Sequence, residues 1–423
     1  VALIVIASLA GKKTSEPANV TLNYWGLWED EGPINSVISD FQKENPKIKI
    51  TYVKQDPTDY REKLNFRIPK GTGPDIFRFH NSWYPMISEF LSPIPQDLMK
   101  KEEFESNYYD VIKKDLIKNG NVYGIPLGID TLVMYVNPQI FQQREAEQGK
   151  TFSVPVTWQE FISTSQALTK RSTEGKIDIS GAAIGTYENI DYAPDILSLL
   201  FVQNGVNLEN ISASSQKISD ALQFYTNFAL IENNTWDETL DPSLLAFSSG
   251  KVAMVFGYAR DYETIKSLNP GLSFKAYPVQ QLLREKSINI ASYFAEGVSA
   301  KSPNPKEAFL FMKYLARPEV SEKLYREAIN TKTIGEPYSN KKLADLLLGT
   351  EAEVFINQAK TAVSSSFADK TFDKGLNTDL NNSLKEAIGV ILSGDSSESG
   401  AEILFQGYQT ATLKYGNASK LCP

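Results

Sequence analysis

Asp130 closes the stretch Asn121-Val122-Tyr123-Gly124-Ile125-Pro126-Leu127-Gly128-Ile129-Asp130, and a β-rich run from Leu132 to Val136 follows at once. Glycine takes backbone angles closed to other residues, while proline fixes φ and removes a donor. Two glycines and a proline just ahead of an acid therefore read as a directed crossover between two structural units. An acid at such a crossover faces whatever lies between the units, and domain interfaces are favoured places for ligand clefts. A second group, Phe79-His80-Asn81-Ser82-Trp83, follows the end of a strand-like run, where open α/β sheets bind ligands. Trp28, Glu29 and Asp30 occupy the loop after the first strand, at the mouth of the same expected cleft; Trp25, inside that strand, reads as core.

Acids and aromatics suit one kind of ligand well. A sugar offers hydroxyls around its edge and weakly polar C–H faces. Carboxylates match the hydroxyls because charge-assisted hydrogen bonds are roughly twice as strong as neutral ones. Trp and Tyr match the faces with rigid apolar area and a polar handle. The chain carries 22 Phe, 20 Tyr and 5 Trp, more than a core alone requires.

The inventory also excludes chemistry. With one His and one Cys, a zinc site of the usual ligands and an internal disulfide are both out of reach. A Ser-His-Asp machine would have to use His80. Carboxylate-only chemistry, as in glycosidases, stays open, but no paired-acid motif of readable separation is present. No metal, cofactor or catalytic residue is expected. A net charge of −8 speaks against nucleic acid as a partner, because phosphate binding needs clustered Lys and Arg.

The elements that must position these residues form two sets. Thr21 to Trp25 reads as a strand. Ile34, Val37, Ile38 and Phe41 then make a helical apolar stripe that Asn45-Pro46 ends, and Ile48, Ile50 and Tyr52 alternate as a second strand. This is a β-α-β unit with a parallel pair. A helix near Thr58 to Phe66 leads through Gly71-Thr72-Gly73-Pro74 to a third strand, Asp75 to Phe79, with Asp75 holding the turn. After Asp130 the pattern restarts. Thr157-Trp158-Gln159-Glu160 is a capping box, Phe247 to Met254 reads as helix end, turn and strand, and the chain from Asn304 onward is mainly helical, broken at Gly394-Asp395. Further crossovers are expected at Lys275 to Pro278 and Ile334 to Pro337. Val1 to Gly11 is an apolar run before Lys12-Lys13, suited to a signal h-region or the end of an anchor. Leu9-Ala10-Gly11 resembles the start of a lipoprotein cleavage box, but Lys12 stands where that box requires Cys.

These landmarks, in order, resemble the extracellular solute-binding proteins of ABC importers, in the sugar-binding branch that includes maltose-binding protein. The matching pieces are Tyr24-Trp25-Gly26, Phe41 through Ile48, Gly73-Pro74-Asp75-Ile76, Tyr123 to Pro126, Tyr135-Val136-Asn137, Thr157 to Phe161, Phe247 with Gly250 to Met254, and Ala308 through Leu315. The resemblance implies an α/β, two-lobed periplasmic-binding-protein fold of type II. Residues 20–126 with 279–334 would form lobe 1, residues 127–278 with 335–423 lobe 2, and residues 1–19 a signal or anchor remnant and linker. It implies a monomer outside the cytoplasm, at the cell surface or in the periplasm and membrane-associated through its N-terminus, that hands a sugar or oligosaccharide to ABC permease subunits. The ligand-binding set expected is Trp28, Glu29, Phe79, His80, Asn81, Trp83, Asp130, Tyr187, Tyr258, Arg260 and Tyr293, with Tyr192 as a further aromatic. Tyr258 and Arg260 enter because relatives place a stacking aromatic there. Bulk at Ala291 to Gly297, where relatives often carry a glycine-rich turn, is expected to narrow the cleft. A carboxylate-based glycoside hydrolase and a surface sensing or adhesion module on the same fold remain the alternatives.

Overall fold

Two apolar clusters organise the chain. The computed structural model describes residues 19–27, 31–208, 211, 215–230 and 234–415. Trp28, Glu29, Asp30 and the N-terminal apolar run lie outside the described residues. Among those described, no helix is long and apolar enough to cross a membrane.

The first lobe begins with β1 (Val20–Gly26), α1 (Glu31–Glu44) and β2 (Ile48–Lys54), with β1 and β2 parallel. Helix α1 forms because Ile34, Val37, Ile38 and Phe41 fall on one face and are buried there. Pro33 is tolerated in its first turn, where backbone N–H groups have no helical partner. Helix α2 (Tyr60–Arg67) leads to β3 (Ile76–His80), parallel to β1. Asp75 holds the turn before β3 by accepting from the Asn23 amide at 2.8 Å. The short strand β4 (Leu91–Ser92), helix α3 (Asp110–Leu116) and β5 (Ile125–Pro126) complete this part.

The chain then passes to the second cluster through β6 (Asp130–Thr131) and β7 (Val133–Val136). Helix α4 (Trp158–Leu168) starts at the capping box, with both the Thr157 and Glu160 bonds present. Helix α5 (Ala193–Gln203) is buried almost throughout. Strand β8 (Met254–Gly257), helix α6 (Ala259–Leu268) and β9 (Lys275–Pro278) follow, and β8 and β9 flank β7 as an antiparallel trio. The crossover expected at Lys275 to Pro278 is therefore an edge strand of the second lobe. Core membership changes later, between Ile290 and Ala291 of β10 (Asn289–Ser292). Pro278 could end a sheet as easily as leave it, so the sequence had no means of separating the two.

Strand β11 (Phe294–Ser299) returns to the first lobe and pairs antiparallel with β3, β4 and β5, giving the order β2-β1-β3-β11-β4. Helices α7 (Pro305–Leu315) and α8 (Pro318–Ala328) pack on α1 and β11. In the third crossing, Pro337 accepts from the Ile129 amide at 2.8 Å, and Gly128 bridges to Tyr338. A Cβ at Gly128 would lie 2.2 Å from the exposed Glu336 side chain, which would have to move. Strand β12 (Ala362–Val363), α9 (Leu376–Leu392) and α10 (Ser397–Tyr415) end the described chain.

Beneath β3 and β11 lies a fully buried ion pair, Arg78 Nε to Glu296 Oε1 at 2.6 Å. Burial pushes the Glu296 carboxyl up, and Arg78 opposes that shift. Removing one partner strands the other charge in a low dielectric. Glu296→Ala should destabilise the protein by about 3–5 kcal/mol, read by urea denaturation. A loss under 1 kcal/mol would show that the site admits water.

Candidate functional site

A small sheet floors the space between the lobes. Strand β10 lies between β12 and β6, and Ser292 is paired in register with Asp130. The Ser292 hydroxyl lies 3.0 Å from His80 Nε2, while His80 Nδ1 lies 2.7 Å from the Ser82 hydroxyl. Burial, aided by nearby Arg260, pushes the imidazole pKa down to about 3. His80 is thus neutral and holds two hydroxyls in place; it is not poised for proton transfer near pH 7.

Asp130 Oδ1 accepts from the Thr131 amide at 2.9 Å and the Ala259 amide at 3.0 Å. No hydrogen bond from the described residues reaches its Oδ2. The residue keeps 8% of its surface. Burial raises its carboxyl to a pKa of about 7, against Arg260 and the two amides. An acid in this state offers a ligand hydroxyl either an acceptor or a donor.

Arg260 stands beside it at the start of α6. Its guanidinium carbon lies 4.9 Å from the Tyr258 ring centre and 5.6 Å from that of Tyr192, and Nε donates to the Tyr192 oxygen at 3.3 Å. The side chain is exposed to solvent, yet its charge also acts on Asp130, Asp195 and His80. Arg260 thus places an exposed cation beside these buried groups. Its remaining N–H groups make no hydrogen bond within the described residues.

The aromatic pair under Arg260 is rigid. Tyr192 and Tyr258 meet edge to face at 5.0 Å. The Tyr258 hydroxyl donates to Asp195 at 2.7 Å and that of Tyr192 to Asp261 at 2.9 Å. Asp195, buried in α5, is pushed up to about 7 by burial and then by Asp369, whose amide it binds at 3.1 Å. The Lys370 ammonium sits 4.2 Å from the Tyr192 ring centre and 2.9 Å from Asp191 Oδ1. Among the described residues no cluster of His, Cys, Asp or Glu is arranged to hold a metal ion.

Unused donors and an unused carboxyl oxygen, set between two α/β lobes and backed by the buried Tyr192 and Tyr258 rings, make a seat for a polar small molecule. Residues 36–342 match the family model of the bacterial extracellular solute-binding proteins. This chain belongs to that family. A multiple sugar-binding protein of Streptococcus mutans is 24% identical over 348 residues, 76% of this chain and 77% of that protein. The sugar-binding protein MalE of Xanthomonas citri superposes with a TM-score of 0.75 at 17% identity, covering 93% of this chain and 98% of that one. A cyclo/maltodextrin-binding protein complexed with maltotetraose gives 0.72 at 17% identity, covering 95% and 100%. At such identities the structural likeness speaks for the fold.

Within this solute-binding protein, Asp130 and Arg260 stand between the lobes, with Tyr258, His80 and Tyr192 buried close to them. Four other candidates turn into the first lobe instead. Phe79 packs on Phe77 at 6.2 Å. Trp83 is 0% exposed, wedged by Tyr60 at 6.1 Å and Phe294 at 6.3 Å. Asn81 spends its amide on Ser364 at 2.8 Å and Asp115 at 3.3 Å. Tyr293 donates to Asp115 at 2.6 Å, so the bulk expected to narrow the cleft is buried in lobe 1. Their common reason is that β3 and its following turn are covered on both faces. Tyr187 is half-buried and donates to the Asn381 carbonyl at 2.9 Å. Trp28 and Glu29 fall outside the described residues. Asp195, Asp369 and Lys370 escaped the sequence reading. An acid inside the apolar run Ala193-Pro194-Asp195-Ile196-Leu197 was a usable signal for the first; no pattern marked the other two.

Because the folded Asp130 pKa lies above the unfolded value near 4, the native state holds the extra proton between those values. Its contribution to stability is therefore present at low pH and is lost as pH rises from about 4 to about 7. Asp130→Asn should flatten the decline in urea-derived stability over that window, by at most about 1.4 kcal/mol per pH unit. Parallel profiles for the two proteins would mean an ordinary Asp130 pKa.

Proposed function

We propose that this protein captures a carbohydrate in the inter-lobe cleft and delivers it, without turnover, to an ABC permease. The observation that carries this reading is the group formed by Asp130, Arg260, Tyr192 and Tyr258. Sugar hydroxyls pair with the free carboxyl oxygen and guanidinium N–H groups, and the buried tyrosine rings hold the guanidinium in place. The names of the relatives point to the same ligand class, one being a multiple sugar-binding protein and another holding maltotetraose. Each cleft carboxyl is already tied to backbone amides or tyrosine hydroxyls, which suits holding better than general-acid work. The protein acts as an extracytoplasmic monomer, membrane-associated through its N-terminus. Its ligand is held between the lobe built on the β2-β1-β3-β11-β4 sheet and the lobe built on the β8-β7-β9 trio.

Calorimetric titration with maltotetraose and a panel of mono- and oligosaccharides tests the reading. Saturable binding with no released product is expected. Asp130→Asn and Arg260→Leu should each cost about 1–3 kcal/mol, or one to two decades in affinity, with the fold intact. Trp83→Ala should lower stability by about 3–5 kcal/mol, because it empties a core site. Wild-type affinity in both cleft variants would move the ligand elsewhere. Hydrolysis of the oligosaccharide at catalytic protein concentrations would replace binding with enzymatic function.

A further inference from the structure

One irregular segment, continuing from the sheet that floors the cleft, ties the lobes together. Residues 364–375 leave β12 and end at α9, a helix of the second-lobe core. Their second-lobe attachments are Ser365 to Ser198 at 2.7 Å, Asp369 to Asp195 and Lys370 to Asp191. Three non-glycine residues here, Lys370, Phe372 and Lys374, take positive φ of 53°, 56° and 44°. Such backbone persists only where its surroundings dictate it. Much of that dictation comes from the buried Asp373 carboxylate, which accepts from the amides of Gly375, Asn377 and Thr378.

The rest comes from the opposite lobe. Arg61, on α2, is buried and donates through Nε to the Asp373 carbonyl and through Nη2 to the Lys374 carbonyl at 3.0 Å. Both of its hydrogen bonds cross between lobes. Ser82 adds a bond to Asn377 at 3.1 Å, and Glu62 an exposed ion pair with Lys374. Gly375 lets the surfaces meet: a Cβ there would lie 2.7 Å from the Met86 sulfur and 2.9 Å from Arg61 Nη2.

We propose that Arg61 is a positioning residue for ligand capture, gripping the 364–375 strap from the opposite lobe so that closure is favoured and Asp369 and Lys370 stay at the cleft. A contact made only with the lobes together adds its free energy to the closed state alone. Apparent affinity scales with the fraction of protein already competent to bind, so the grip lowers the closing that a ligand must drive. An arginine reading backbone carbonyls suits this role, because it holds the strap whatever its side chains contact. The inference rests on the inter-lobe cleft being the ligand seat.

Solution scattering of the ligand-free protein separates this from the carbohydrate reading. Arg61→Ala should enlarge the radius of gyration, raise the maltotetraose dissociation rate about tenfold in stopped flow, and leave circular dichroism unchanged. Arg61→Lys, which can restore one of the two bonds, should recover part of both effects. Gly375→Ala should open the protein by wedging the same contact, and it decides the matter if Arg61→Ala fails to fold. If maltotetraose does not bind even the wild type, the scattering comparison alone decides the grip. Folded variants that scatter like the wild type would overturn the proposal.

Discussion

The register of Asp130 against Ser292 is the constraint on which the molecule depends. The two apolar cores pack separately, so the chain must pass between them, and its crossing backbone needs partners. Strand β10, lying between β6 and β12, supplies them. Because side chains alternate along a strand, a one-residue slip would turn Asp130 and Ser292 to the opposite face. The same backbone pairing that satisfies the crossings therefore fixes the polar floor of the cleft. Ile129 and Pro337 brace it from the third crossing.

Above that floor, the electrostatics follow from crowding. Asp130, Asp195 and Asp261 are each raised by burial, and Asp369 likewise, while Arg260 and Lys370 face them. Few of these groups form a tight ion pair. They are separated by tyrosine rings and backbone amides, so charge is balanced across the cleft without being cancelled in pairs. Such an arrangement leaves hydrogen-bonding capacity open to a ligand. Burial, with Arg260 as a neighbouring cation, keeps His80 neutral between its two hydroxyl partners.

Much of the scaffold was legible. The apolar stripe of α1, the parallel β1–β2 pair, the capping box of α4 and the break at Gly394 are local patterns, and each appears in place. The crossover ending at Asp130 was legible because backbone breakers advertise it. Trp83, Phe79, Asn81 and Tyr293 were misread as cleft residues for a definite reason. A turn after a strand can face a ligand or a neighbouring core, and its residue types are compatible with both. Lys275 to Pro278 was misplaced in the same way, since edge strand and crossover share a composition.

The sequence by itself determined the elements, the two-lobed class and the family, because helical stripes, caps and turn residues act over a few positions. The tertiary structure alone decided which side chains meet at the cleft. Asp130 meets Ala259 across 129 positions, His80 meets Ser292 across 212, and Arg61 meets Asp373 across 312. Such meetings depend on register, crossing points and lobe closure, none of which is written in any local pattern.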